Sequence, residues 1–128
     1  MRLLLDTHAL LWWLTDDPQL SRTARSAIAE PANEVLVSAA SAWEIATKHR
    51  LGKLAIGGEV LGRFHDLIVA DGFRHLPMQH GHAIRAGSYP VHHRDPFDRM
   101  LAAQSDLEGV PLVTVDPAFE NFPIRVLW

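Results

Sequence analysis

The sequence predicts an α/β fold, a three-layer α/β/α sandwich on a mostly parallel sheet, and three observations carry that expectation. Short apolar runs at 2–5, 34–37, 73–76, 110–115 and 125–127 alternate with longer stretches of helical spacing, the order that βα units produce. The runs are continuous rather than alternating, as in Leu3-Leu4-Leu5 and Val35-Leu36-Val37, which suits strands covered on both faces. Finally, 128 residues with 48% hydrophobic and 21% charged side chains suffice for one packed core and are too few for two, so residues 1–128 are expected to form a single domain.

The first strand, at 2–5, ends in Asp6, and a helix through His8 to Leu14 follows. Ser21 is placed to cap a helix over 22–30, where Ala24, Ala27 and Ile28 share a face and Pro31 closes the segment. The second strand, at 34–37, leads into a helix over 38–50. Ala42, Ile45, Ala46 and His49 form its stripe, Glu44 precedes Lys48 by one turn, and Gly52 ends it. The pattern Val60, Phe64, Leu67 and Ile68 predicts one helix across 59–70, stopped by Gly72 before the third strand at 73–76. A weaker helix over 79–86 precedes a loop at 87–94, marked by Pro90 and the adjacent His92 and His93. Asp95-Pro96 opens the next helix, because proline fits the first helical position behind an acidic cap. Met100, Leu101, Gln104 and Leu107 carry its face to Gly109.

Composition excludes several functions. Lys and Arg total 12 against 15 Asp and Glu, a net charge of -3, so any nucleic acid must be held by a local patch rather than by bulk basic character. With no cysteine there is no disulfide framework, no thiolate zinc site and no cysteine nucleophile. Asp6 and His8 interrupt the first apolar run, so it does not read as a signal core, and no stretch reaches the ~20 apolar residues of a membrane span. A cytoplasmic protein is expected.

Ligands of open parallel sheets bind outside the carboxyl ends of the strands, and acids stand at those places. Asp6 directly follows the first strand, and Asp116 follows Leu112-Val113-Thr114-Val115. Glu44 lies in the helix after the second strand, and Asp98 in the first turn of the helix before Asp116's strand. Each has a plainer role open to it: Asp6, Asp98 and Asp116 at helix or turn starts, and Glu44 as the partner of Lys48. Gathered at one edge, these carboxylates raise one another's pKa and need cations to stay ionised. An oxygen-only set selects Mg²⁺ or Mn²⁺, which polarise phosphate oxygens, so phosphodiester hydrolysis is the natural chemistry.

Four blocks, LLLDTHALLWWL, VSAASAWEIATKHRLGKL, HRDPFDRMLAAQSDLEG and PLVTVDPAF, together resemble those of PIN-domain ribonucleases, especially VapC-type toxins. The likeness covers essentially the whole chain. It implies a PIN-like fold, Mg²⁺- or Mn²⁺-dependent endoribonuclease activity on RNA, a homodimer, and inhibition by a small VapB-like antitoxin. The positions that match the family's acids are Asp6, Glu44, Asp98 and Asp116, with Thr114 at the hydroxyl position two residues before the last. By this resemblance Asp6, Asp98 and Asp116 chiefly bind metal, while Glu44 binds metal or positions water. Asp95, directly before Pro96, is expected to cap the helix and leave the site to Asp98.

Around these acids, Thr7 and His8 belong to the first block, and His8 is expected to support Asp6 from behind. His92 and His93 are read as ordinary loop histidines. Lys48, Arg50, Lys53, Arg94 and Arg99 flank the acidic blocks and are candidates for RNA phosphates. Trp12 and Trp13 sit in a first helix apolar around most of its circumference, which puts part of it against the core or a second copy. Two other readings compete. A phosphatase of the haloacid-dehalogenase type wants a second Asp two residues after the first, where this chain has His8. A catalytically silent PIN-like module binding RNA or a protein is disfavoured by the complete acid set.

Overall fold

The computed structural model describes residues 1–128, with Gly57 through its helical backbone alone. The chain runs β1 (Arg2–Leu5), α1 (Thr7–Leu14), α2 (Arg22–Ala29), β2 (Glu34–Ser38), α3 (Ala39–Arg50), α4 (Gly57–Gly62) and α5 (Phe64–Ala70). It continues through β3 (Arg74–Leu76), α6 (His80–Ser88), α7 (Pro96–Glu108), β4 (Leu112–Val113), a 3₁₀ turn (Pro117–Asn121) and β5 (Val126–Leu127). The strands form one sheet in the order β3-β2-β1-β4-β5, and every pairing is parallel.

Register explains why chemistry collects at one edge. Leu5 lies level with Val37 on one side and with Val113 on the other, so the residues after β1, β2 and β4 leave the sheet together. From β1 the chain first builds outward through β2 and β3, then returns to lay β4 against β1's other side. The crevice between β1 and β4 is therefore the topological switch point, where ligands of such sheets bind.

Both sheet faces are covered. Leu3 and Leu5 point into one core with Leu10, Ile28, Val37, Ile45 and Ile68, while Leu4 enters the other with Leu36, Met100, Leu101, Leu112 and Phe119. Leu3, Leu4 and Leu5 are fully buried, which is why β1 has no polar face in the sequence. Truncating any of them to alanine costs ~2–5 kcal/mol through lost transfer energy and the cavity left behind.

Local caps set the helix starts. The Ser21 hydroxyl accepts from Ala24 N at 3.0 Å, and that of Ser38 from Ala40 N at 2.9 Å. Helix α7 begins behind Asp95 with Pro96 in its first turn and ends on Gly109, whose φ of 66° lies in the left-handed region that glycine adopts without a Cβ clash.

Three expectations change. The helix expected across 59–70 is two, broken at Arg63, where φ reaches −130°; apolar spacing runs through the break and so conceals it. Helix α6 continues past Gly87 to Ser88, whose hydroxyl donates to Ile84 O at 2.6 Å. The strand expected at 110–115 shortens to Leu112–Val113 because β5 offers only two partners. Trp12 and Trp13 are half-buried within the chain's own packing, Trp12 between His8 and Trp128, and Trp13 on Phe73 with its Nε1 donating to Asp71 at 2.9 Å. Among the described residues no helix is long and apolar enough to cross a membrane.

Candidate active site

At the carboxyl edge, Asp6, Thr7, His8, Glu44, Lys48, Asp95, Asp98, Asp116 and Phe119 line one cleft of about 150 Å³. All four acids singled out in the sequence are there, from β1, α3, α7 and the turn after β4. Glu44 turns inward beside the fully buried Ile45, while Trp43 is exposed and packs edge-on against Phe97 at 4.6 Å. The Thr7 hydroxyl donates to Ser41 at 3.1 Å, tying the start of α1 to α3 and so Asp6's segment to Glu44's.

The plain and the chemical roles of these acids coexist. Asp6 caps α1 by accepting from Ala9 N at 2.7 Å, and Asp116 caps the 3₁₀ turn by accepting from Ala118 N at 2.9 Å. Both use Oδ1, so capping leaves Oδ2 for another partner. Asp95 takes the amides of both Phe97 and Asp98 on its Oδ1 and is the N-cap of α7. Thr114 Oγ1 accepts from Asp116 N at 3.0 Å, fixing the turn that presents Asp116.

Charge is unbalanced in this cleft. Five carboxylates line it, with Lys48 as its one lysine. Lys48 Nζ donates to Glu44 Oε2 at 2.5 Å; burial pulls its pKa down, but Glu44, Asp95 and Asp98 outweigh that and leave it raised. Burial pushes the Asp6 carboxyl up, against the opposing pull of Thr114, the Ala9 amide and His8. Asp98 is raised to about 6, first by burial and then by Asp95 and Glu44, although the hydrogen bond from His93 works the other way.

A hard divalent cation fits this donor set. The donors are carboxylate oxygens without a thiolate, and two of them sit at raised pKa, chiefly through burial and further through neighbouring carboxylates, so a cation there would favour their ionised form. Among the described residues no three acid or histidine side chains converge as a ready-made cage, so the carboxylates border the space rather than enclose a point.

Two residues differ from their expected roles. Arg99 was a candidate for RNA phosphate; instead its guanidinium donates to the carbonyls of Ala86, Tyr89, Val91 and His93 at 2.6 to 3.1 Å. It follows Asp98 on the helix and so faces away from the cleft, where the returning loop leaves carbonyls without partners. His93, read as an ordinary loop residue, pairs its Nε2 with Asp98 Oδ2 at 2.8 Å. No sequence spacing signals that contact, since it depends on the loop folding back over α7. Arg50, Lys53 and Arg94 are exposed and lie outside the cleft lining.

The PIN domain profile matches residues 3–124. Ribonuclease VapC22 of Mycobacterium tuberculosis is 32% identical over 114 residues, spanning 88% of this chain and 85% of the relative. Among solved structures, VapBC2 from Rickettsia felis bound to a DNA fragment of its promoter aligns with a TM-score of 0.69 and 13% identity, over 98% of this chain and 96% of that one. FitAcB from Neisseria gonorrhoeae aligns at 0.66 with 22% identity, over 97% and 95% of the two chains. These two likenesses speak to the fold, which is the parallel sandwich described above. The profile spans nearly the whole sequence and a VapC ribonuclease matches most of its length, and on those grounds the chain belongs to the PIN-domain family, among its VapC-type members.

Proposed function

We propose that this chain is an endoribonuclease that hydrolyses RNA phosphodiester bonds with Mg²⁺ or Mn²⁺, acting as the toxin of a VapBC-type pair restrained by a small VapB-like antitoxin. The observation that carries this reading is the cleft at the switch point, where Asp6, Glu44, Asp98 and Asp116 crowd around a single lysine. Its relatives include a ribonuclease and structures named for VapBC and FitAB, which supports the same chemistry and partner.

In this mechanism Asp6, Asp98 and Asp116 hold the metal chiefly, and Glu44 holds metal or orients the attacking water. Bound there, a divalent cation supplies Lewis acidity toward the phosphate and lowers the pKa of water. His93 fixes the carboxylate plane of Asp98 through its 2.8 Å contact. Thr114 and Thr7 hold the segments that carry Asp116 and Asp6. Lys48 supplies a positive charge on Glu44 that also faces an incoming phosphate, and the exposed Arg94 extends that attraction beyond the cleft. Water adds to phosphorus, the bridging oxygen leaves, and it departs with a proton.

Purified protein is expected to cut single-stranded RNA with Mg²⁺ or Mn²⁺, to stop in EDTA and to recover when metal is restored. Calorimetric titration of Mn²⁺ gives a readout independent of turnover, and Asp6→Asn with Asp98→Asn should abolish that binding. Cleavage that persists at full rate after chelation overturns the metal assignment. A homodimer is part of the proposal and light scattering checks it; a monomer at micromolar concentration removes that part alone.

A further inference from the structure

Beside the acid cleft lies a second, open cavity of about 360 Å³, lined by Val91, His92, His93 and Asn121, against about 150 Å³ for the cleft itself. His93 is the wall between them, since its Nε2 holds Asp98 while its ring borders the larger space and stands edge-on to Phe122 at 5.8 Å. We propose that this cavity is a base subsite, receiving an unpaired base of the RNA whose neighbouring phosphodiester lies in the acid cleft. The inference rests on the ribonuclease reading above and adds where the substrate is gripped.

The lining chemistry selects a base over other ligands. No carboxylate lines the cavity, so it does not select a cation, and no lysine or arginine lines it, so it is not built for a phosphate. What it offers are two imidazoles, one valine side chain and one primary amide, which suit a flat heteroaromatic ring with hydrogen-bonding edges. The Asn121 amide donates to Ala118 O at 3.2 Å, which leaves its second N–H and its carbonyl oxygen for a base edge. His92 is exposed in the same lining, and an imidazole offers a flat ring on which a base can stack.

The wall is also held in place. Arg99 donates to Val91 O at 3.1 Å and to His93 O at 2.9 Å, so two of the four lining residues hang from one guanidinium rooted in α7. A stacking wall fixed before the RNA arrives loses less ordering entropy on binding than a free loop.

The test separates this inference from the reading it rests on. Binding of fluorescein-labelled single-stranded oligo(A), oligo(C) and oligo(U) RNA is measured by anisotropy in EDTA, and cleavage of the same oligomers is measured with Mn²⁺. Wild-type protein is expected to rank the three RNAs, and His92→Ala and Asn121→Ala to weaken the preferred one by roughly five- to tenfold and flatten the ranking. His92→Phe, which keeps a flat ring, is expected to restore affinity; a merely structural role for His92 gives no such rescue. Circular dichroism checks that each variant is folded. Affinities unchanged in both alanine variants, or no binding of any oligomer, overturn the subsite even if cleavage proceeds. A ranked affinity lost in the variants, with no cleavage by wild type under any metal, keeps the subsite and sinks the ribonuclease reading.

Discussion

The floor and the rim of the acid cleft are built by different means. The floor is Asp6, Thr7, Glu44 and Thr114, each no more than 6% exposed; Leu5 and Val113 pair side by side and deliver Asp6 and Thr114 to adjacent strand exits, while Glu44 is held on the buried face of α3 beside them. The rim is Asp98 and Asp116, on a helix start and a turn start, with His93 on the loop before α7, and all three are more accessible. One guanidinium, that of Arg99, holds the loop over it. Floor geometry is thus spread over the sheet's whole register, whereas rim geometry hangs on a few hydrogen bonds. The rim is the part that a point change can loosen without unfolding the chain.

The largest effect tests whether floor and rim act as one site. Asp6→Asn and Asp98→Asn should each lower RNA cleavage by about 100-fold or more, since even groups standing behind metal ligands are worth 10- to 100-fold. Single-turnover rates on folded variants check this, and loss in one variant only would divide the cleft. Next comes the rim's support. Arg99→Ala removes four hydrogen bonds and strands their carbonyls, and should destabilise the chain by about 2–4 kcal/mol in urea unfolding. Leu4→Ala, beneath the floor, should cost a similar amount but leave the ratio of cleavage to Mn²⁺ affinity unchanged, whereas Arg99→Ala should lower it.

A smaller effect comes from protonation. Folded Asp98 keeps its proton up to about pH 6, against an ordinary value of 3.8, so between those values the folded chain binds more protons than the unfolded one. Stability therefore falls as pH rises through that window. Asp98→Asn removes the effect and should make the metal-free protein more stable at pH 7.5 by about 1 kcal/mol, allowing for solvent screening of a partly exposed group. The gain should vanish below pH 4, and thermal melts in EDTA across the range decide it. Smallest is Asp95→Asn, which keeps a good cap and should change stability by about 0.5 kcal/mol or less. A cleavage loss there as deep as that of Asp98→Asn would exchange the roles of the two acids.

Much of the floor was legible in the sequence, because a strand followed by an acid is a local pattern and a parallel sheet aligns its strand ends. Ser21, Asp95-Pro96 and Gly109 marked their helix ends correctly for similarly local reasons. The rim was less legible. Arg99 looked like a phosphate ligand because charge can be read from sequence while direction cannot, and it turned inward to meet the loop carbonyls. His93 looked unremarkable because its partner is set by a loop closing back on α7. The break at Arg63 escaped because apolar spacing counts side chains and is blind to one residue leaving helical φ. The length of β4 escaped because a strand extends only as far as its neighbour pairs with it.

The pairing of β1 with β4 has a consequence for how the chain comes into being. Leu4 and Leu5, made before the rest of the sheet, wait for Leu112 and Val113 before the sheet's centre closes, and β4 in turn waits for Val126 and Leu127. Such distant partners make folding slow and late, since the loop between them must be closed before any contact rewards it. A chain still on the ribosome carries Asp6 and Glu44 but has no β4 to stand beside them. The cleft is therefore born only once β4 and β5 have been made, and a translation product interrupted before them holds most of the acids without the arrangement that makes them a site.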